Sequence, residues 1–416
     1  MGLRPGREDV LLTLMLSLAL VYCCASAARG ADFEITPSMS VSEEYNDNIF
    51  LRKEDKVGDY ITSAMPSVAL KYATPLWQWD AAYAFDYLYY AAKTRNDDKI
   101  HNLAANGLIA LIRDRLMLKL SDDYSRAPLD VARDVTRESA FLNQSDRNIF
   151  TLNPYFIVEP APLIKVTTGY AYIDTWYKND SGVSKTVNTF FTEPSYELSP
   201  KIVLNAGYRY SQEASRESDF TKNDIYVGSR YEYADRSNIF FKVGNSLVKF
   251  TGRSGSGNMF WTAGISHAFP TFTGSVETSS DYTENPLGTI DKTTNYMASV
   301  KKEFKRTTAS LSLAYTEFKN AETVTYHVNR YGVNANARYE LTAKTTGAVD
   351  FTAEKLDDKV LNTYTRRYFA GLKFDYELWK ETSVSAGYNY AYSYSPEITG
   401  DTYRNNRFLV GVRKTF

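Results

Sequence analysis

Residues 403–416 read Tyr-Arg-Asn-Asn-Arg-Phe-Leu-Val-Gly-Val-Arg-Lys-Thr-Phe, and the reading of that stretch decides the fold. Phe408, Val410, Val412 and Phe416 share one parity, whereas Arg407, Gly411 and Arg413 share the other. A strand sends alternate side chains to opposite faces, so one face here is apolar and the other largely charged. Lys414 falls on the apolar parity, where its stem can lie along lipid while the ammonium reaches water at a membrane boundary. A strand of this kind fits a soluble sheet or a membrane barrel, and the rest of the chain separates the two.

Working back from it, turn signals recur at Ala73-Thr-Pro75, Arg113-Asp114, Glu159-Pro-Ala-Pro162, Ser199-Pro200, Ala234-Asp-Arg236, Phe269-Pro270, Lys305-Arg306, Thr342-Ala343 and Leu378-Trp-Lys380. They stand roughly 35 to 47 residues apart, which is two strands and one longer loop, the asymmetry of short periplasmic turns and long outer loops. Between them, period-two rows are plain. Trp79, Ala81, Tyr83, Phe85, Tyr87 and Tyr89 oppose Asp80, Ala82, Ala84 and Asp86, and Tyr331, Val333, Ala335, Ala337 and Tyr339 oppose Arg330, Gly332, Asn334, Asn336 and Arg338. Aromatics sit toward the strand ends with small residues such as Ala335 and Ala386 midway, as two interfacial girdles require. The opposite face carries too much charge to pack on a second sheet, while a water-filled lumen accepts it.

The expected fold is therefore all-β, a transmembrane antiparallel β-barrel of about 20 strands within a range of 16 to 20, with strand one near Phe33–Tyr45. Residues 237–282 alternate poorly, and Pro154 and Pro194 fall inside strands, where a bulge or an end position is expected. The longest outer loop is placed at Arg126–Asn148, either a solvated surface loop or an inward constriction.

Composition agrees with this class. Mean hydropathy is −0.39, and no apolar run of about 18 residues follows the leader, so helical membrane spans are excluded. Yet the chain holds 33 tyrosines, a residue suited to a surface that is apolar along its body and wet at its tip. A formal net charge of −1 gives no bulk signal for nucleic acid. Residues 1–27 read as an export signal, with Arg4 and Arg7 ahead of an apolar run from Leu11 to Ala25 and small residues at Ala25-Ser-Ala27. The barrel then occupies residues 28–416. Cys23 and Cys24, the two cysteines of the chain, fall inside the leader, so the mature protein has no thiol for disulfides, metals or nucleophilic chemistry.

Phe408, Val410, Val412 and the final Phe416 resemble the terminal strand of bacterial outer-membrane barrels, whose last aromatic is read by the barrel assembly machinery. That resemblance implies a cell outer-membrane location with lipid as a neighbour. The segment Val41-Ser-Glu-Glu-Tyr-Asn-Asp-Asn-Ile-Phe50 resembles the opening of the β-barrel porin type two family associated with exopolysaccharide and exosortase gene clusters. Membership implies a part in making, exporting or anchoring a surface polysaccharide.

Candidate site residues are the charges assigned to the lumen: Asp80, Lys119, Arg209, Arg230, Arg330, Arg338, Arg367, Lys373, Arg407 and Arg413. Several cations stand two residues from a carboxylate, as in Arg230 with Glu232, Lys301 with Glu303 and Arg338 with Glu340, which reads either as wall-stiffening ion pairs or as a polar ladder for a charged sugar chain. Basic positions outnumber acidic ones, a lean toward anionic cargo. Catalysis is not expected: His101, His267 and His327 are far apart, and only His267 has an adjacent Ser266. No metal-ligand spacing and no cofactor motif is present. Three functions follow in order: a conduit or accessory for exopolysaccharide, a general or substrate-specific porin passing small polar solutes, and a sleeve around a periplasmic partner such as a multihaem cytochrome.

Overall fold

The computed structural model describes residues 32–129, 144–216, 219–251, 255–284, 286–287, 290–320, 327–397 and 402–416. The expected leader, 1–27, lies outside them. Twenty antiparallel strands form one closed sheet. In chain order they are β1 (Asp32–Asn46), β2 (Asp59–Ala73), β3 (Trp77–Tyr90), β4 (Asp98–Ile112), β5 (Leu116–Pro128), β6 (Gln144–Ala161), β7 (Ile164–Tyr177), β8 (Lys185–Ser199), β9 (Ile202–Ser215) and β10 (Phe220–Ala234). The second half comprises β11 (Ser237–Phe250), β12 (Ser256–Ala268), β13 (Thr273–Glu284), β14 (Ile290–Glu303), β15 (Thr307–Asn320), β16 (His327–Glu340), β17 (Thr345–Asp358), β18 (Thr363–Trp379), β19 (Thr382–Tyr394) and β20 (Tyr403–Thr415). Each strand pairs with its sequence neighbours, and β1 pairs with β20 to close the ring.

Every turn signal in the sequence falls at the short-turn end. Several of these turns carry a register shift in the adjoining strand, as at Ala110/Ile112, Val158/Ala161, Glu232/Ala234 and Glu377/Trp379. Asp114, Arg236 and Glu381 adopt positive φ there, the backbone state that reverses a chain within two or three residues. Longer loops gather at the opposite end, which is the outer face by the length asymmetry of such barrels.

The outward rows are apolar. Phe408, Val410, Val412 and Phe416 are 53%, 58%, 46% and 68% exposed, a state that fits lipid and not water, since each such side chain gains about 1.5–3 kcal/mol on leaving water. Cross-strand register carries the row around the wall: Val412 opposes Val41 on β1, and Phe408 opposes Tyr45, whose ring lies 4.9 Å from that of Tyr60 on β2. His101 joins the outer girdle beside Phe85 at 5.0 Å, and His267 joins the inner one, 4.3 Å from Phe269.

Three expectations are corrected. Pro154 and Pro194 need neither a bulge nor a strand end. Each leaves a gap in one ladder, between Leu152/Tyr172 and Tyr155/Gly169 for the first and between Thr192/Tyr208 and Ser195/Asn205 for the second, and the register continues unshifted. A missing N–H costs a bond on one side while the other neighbour holds the strand.

The loop expected over Arg126–Asn148 is shorter, because β5 runs to Pro128 and β6 starts at Gln144. Arg126 bonds Asp98 at 2.6 Å and Asp146 at 2.9 Å, and Lys178 bonds Asp146 at 2.8 Å, so Arg126 and Asp146 are neutralised at strand ends. Asp130, Arg133, Asp134, Arg137 and Glu138 lie outside the described residues.

Residues 237–282 form regular strands despite weak alternation, because inward aromatics cover glycines on neighbouring strands, Phe240 over Gly264 and Phe260 over Gly244. The β12–β13 ladder stops at Trp261/Ser280 while both strands run on, and Asn258 reaches across to the Tyr282 hydroxyl.

The seam between β1 and β20 pairs nine residues, against fifteen between β1 and β2. It is reinforced by the segment that carried the family resemblance. Asn405 Nδ2 donates to Asn46 Oδ1 at 2.6 Å and to the Asn48 carbonyl at 3.2 Å. Asn48 Nδ2 donates to the carbonyls of Arg52 at 2.7 Å and Arg404 at 2.9 Å, and Asn406 donates twice to the Asp47 carboxylate. The loop then turns into the mouth: Leu51, at a φ of 52°, packs with Ala391, Tyr403 and Phe369. A leucine in the left-handed region is uncommon and costs of order 1–3 kcal/mol, which its burial offsets.

The loop over residues 91–97 is held by charge. Lys93 Nζ donates to Asp97 at 3.1 Å, which holds the Asp97 carboxyl below its ordinary value and raises the Lys93 ammonium above its own. A depressed carboxyl pKa gives a contribution present above the ordinary carboxylate value and lost as pH falls through the lowered one. Hydrogen exchange at residues 91–97, corrected for its intrinsic pH dependence, is expected to quicken on acidification through that range. An Asp97→Asn chain should show no such step, and an identical step in both would refute the assignment.

Candidate functional site

The interior surface is set by the parity opposite to Phe408 and Val410. Register puts Asp80 against Lys71 and Asn106, Lys119 against Asn153, and Arg338 against Thr308 and Ala348, all on this inner face. Several of the predicted charges are tied to neighbours. Arg230 lies 3.9 Å from Glu232, Lys373 2.9 Å from Asp375, and Arg407 3.9 Å from Glu44 across the seam. Arg413 reaches Ser38 Oγ at 3.5 Å. Arg330 lies over the Phe318 ring at 5.2 Å, and Arg367 is 1% exposed near the outer mouth, where Phe318, Val328 and Leu356 form an apolar cluster.

These ten residues do not converge. They line different heights and strands of the wall, and Arg209 is the one among them that lines the pocket described next.

That pocket is a cavity of about 390 Å³ against the inner face of β6–β11, roofed by Tyr282 from β13. Arg209 Nη2 donates to Glu193 Oε1 at 3.1 Å, and the Tyr226 hydroxyl donates to the same oxygen at 2.6 Å. Lys242 sits over the Tyr226 ring at 5.1 Å. At the outer end Lys222 lies 3.4 Å from Asp224 and 3.3 Å from Asp281, and Ser246 donates to Asp224 at 2.6 Å. Phe191 and Phe220 supply apolar walls between these polar groups. Gly207 makes the arrangement fit, since a Cβ there would overlap the Tyr226 ring. Chemically, the pocket offers flat aromatic faces beside fixed donors and acceptors of both signs, the mixture that orients a polar ligand by a few placed groups.

Glu193, Tyr226, Lys222 and Asp224 are absent from the sequence-derived site. A signal for three of them was present: Phe220, Lys222, Asp224 and Tyr226 take the parity opposite to Ile225, Val227 and Tyr231. Their convergence with Glu193 and Tyr282 was not legible, because it depends on which strands adjoin and on the lean of β13.

Among solved structures the chain is similar to the ferric enterobactin receptor PfeA of Pseudomonas aeruginosa, at TM-score 0.55 and 10% identity over 92% of this chain and 80% of that one. It is similar to the FrpB iron transporter of Neisseria meningitidis at TM-score 0.53 and 11% identity, covering 92% and 82%. The ferric-catecholate import receptor Fiu of E. coli K12 gives 0.52 and 11%, again over 92% and 82%. No family model matches the chain, and no curated protein matches it. The closed ring, the apolar outward rows and these likenesses together make it a 20-stranded β-barrel of the bacterial outer membrane.

Proposed function

We propose that the barrel conducts a polar, sugar-like chain across the outer membrane, in export or assembly of an exopolysaccharide. The observation that carries this reading is the pocket in the wall, where the Phe220 and Tyr282 rings stand beside Arg209, Glu193, Lys222 and Asp224, with the Tyr226 hydroxyl bonded to Glu193. Sugar rings present apolar faces to aromatics and hydroxyls to charged groups, so this wall gives such a chain a place to pause. A 20-strand circumference does not require side chains to fill the lumen, which leaves room for passage. We assign no enzymatic step: Ser266 and His267 are neighbours on β12 and point to opposite faces.

The test is conductance in planar bilayers with an acidic and a neutral oligosaccharide. Saturable block, stronger for the acidic sugar, is expected. Openings indifferent to either sugar would replace this reading with a general porin, and an absence of openings would replace it with a sleeve for a periplasmic partner. Delivery to the membrane is assigned to the barrel assembly machinery through the outward row ending at Phe416. Phe416→Ala is accordingly expected to cut the yield of folded, heat-modifiable barrel in cells several-fold without changing the stability of the chain that does fold. An unchanged yield would remove that role.

A further inference from the structure

On the lipid-facing side, the outer ends of β14–β20 carry an aromatic belt with a row of cations at its level and just beyond it. Tyr296, Tyr315 and Tyr331 form a ladder with ring separations of 6.0 and 5.0 Å, and the belt continues in Tyr368 with Tyr392 at 6.2 Å and Tyr388 with Phe408 at 4.8 Å. Tyrosines so placed mark the level of the lipid headgroups. On the same outward parity Lys292, Lys319 and Arg366 stand farther out, while Lys355 and Arg404 stand level with the belt, opposite Tyr331 and Tyr392.

The register sets like charges face to face. Lys292 directly opposes Lys319, and Lys355 directly opposes Arg366. Directly opposed like charges destabilise an antiparallel pair, so this rim calls for counter-charge. Part of it is internal. Glu317 holds Lys319 at 2.8 Å and His327 at 3.0 Å, and Asp357 holds Lys355 at 2.7 Å and Lys359 at 3.6 Å. Both carboxylates are thereby shared between two groups. Arg366 and Arg404 are exposed and have no carboxylate partner among the described residues. Arg366 instead lies over the Tyr364 ring at 5.1 Å, and Lys56 of the first outer loop is 2.9 Å from the Arg404 carbonyl.

We propose that this rim docks a phosphorylated lipid of the outer leaflet, with its phosphates on Arg366 and Arg404 and its acyl chains on the apolar band below. Arg366 opposes Tyr394, and Arg404 opposes Tyr392 on the same strand, β19. Their Cα positions are therefore two strands apart, roughly 10 Å across the sheet, and staggered by two residues along it, with a tyrosine platform between them. A guanidinium fork matches phosphate oxygens two at a time, and an amphiphile satisfies the cations and the aromatic belt together, which a soluble anion does not. The site is one-sided. The outward parity of β5–β7 carries Asp122 and Asp174, with Asn148 bonded to Asp122 at 3.0 Å, and carboxylates there would repel a phosphate.

The test places the full chain in phosphatidylcholine nanodiscs containing either bis-phosphorylated lipid A or the same lipid with its phosphates removed. The readouts are the lipid retained after detergent extraction, by native mass spectrometry, and the temperature at which gel mobility changes. The wild-type chain is expected to retain the phosphorylated lipid at least fivefold better than the dephosphorylated one, and to gain heat resistance from the former alone. Arg366→Gln/Arg404→Gln should lose both gains while matching wild type in pure phosphatidylcholine, and Arg366→Lys/Arg404→Lys should recover part of them. Equal retention of the two lipids by wild type would overturn the proposal, as would a Gln variant that behaves like wild type. A gain produced equally by inorganic phosphate would overturn the lipid assignment. If the Gln variant fails to fold, the wild-type comparison of the two lipids decides by itself.

Discussion

Asn405→Ala is expected to lower the temperature at which the folded barrel loses its distinct gel mobility, with a loss of stability of about 1–3 kcal/mol. The side chain is fully buried and joins β20 to the start of the first outer loop through Asn46 Oδ1 and the Asn48 carbonyl. Removing it deletes two buried hydrogen bonds across the seam, each worth about 0.5–1.5 kcal/mol net, while Asn46 Oδ1 keeps the Asn48 N–H and the Asn48 carbonyl keeps the Leu51 N–H. Asn48→Ala should cost more. It frees the Arg404 carbonyl on β20 as well as the Arg52 backbone, and so releases the loop and the seam at once. The contrast is Thr62→Ala at the neighbouring β1–β2 ladder, where one exposed bond to Glu43 is lost and the midpoint should hardly move. Equal shifts for Asn405→Ala and Thr62→Ala would show that the seam is no weaker than any other ladder and that the clasp is ornamental.

The second large effect is expected inside the barrel. Gly207→Val puts a branched side chain where the Tyr226 ring lies, which must swing away from Glu193 and break the 2.6 Å bond. Block of conductance by an acidic oligosaccharide is expected to weaken about tenfold, equivalent to about 1.4 kcal/mol of binding. Tyr226→Phe keeps the ring in place and removes only the hydroxyl, so its effect should be smaller. Both chains should keep the heat-modifiable mobility of the wild type, because the ladder bonds of β9 and β10 do not involve these side chains. Undiminished block in Gly207→Val would dissociate the pocket from sugar recognition, whatever the barrel transports.

Much of the architecture is written in local chemistry. The outward rows follow from residues that alternate within a single strand, so Phe408, Val410 and Val412 could be assigned before any partner strand was known. The short turns could be placed because Pro, Asp and Arg-Asp pairs interrupt those rows at nearly regular intervals. A proline is judged alone in sequence, but Pro154 and Pro194 need no bulge or strand end because in the sheet the other neighbour keeps the register. Arg126 and Asp146 fall in strands and not in the loop expected over Arg126–Asn148 for the same reason: their neutralisation depends on Asp98 and Lys178, which are distant in sequence.

The candidate site shows the same division. Parity within one strand assigned Arg209 an inward face. Its partner Glu193 comes from β8, the Tyr226 hydroxyl on that carboxylate from β10, and the roof from Tyr282 on β13, so the pocket exists only through the order of β6–β11 and the lean of β13. Residue order within single strands is enough to specify an all-β chain with one lipid-facing row per strand, since side-chain direction in a strand is a period-two property of the backbone. Where the ring closes, that the Asn46–Asn48 segment clasps the seam, and which inward charges meet come from the assembled barrel. The closure and the clasp rest on contacts between residues hundreds of positions apart, such as Asn46 with Asn405, and the inward contacts on residues of different strands, such as Arg209 with Glu193, so no local spacing encodes them.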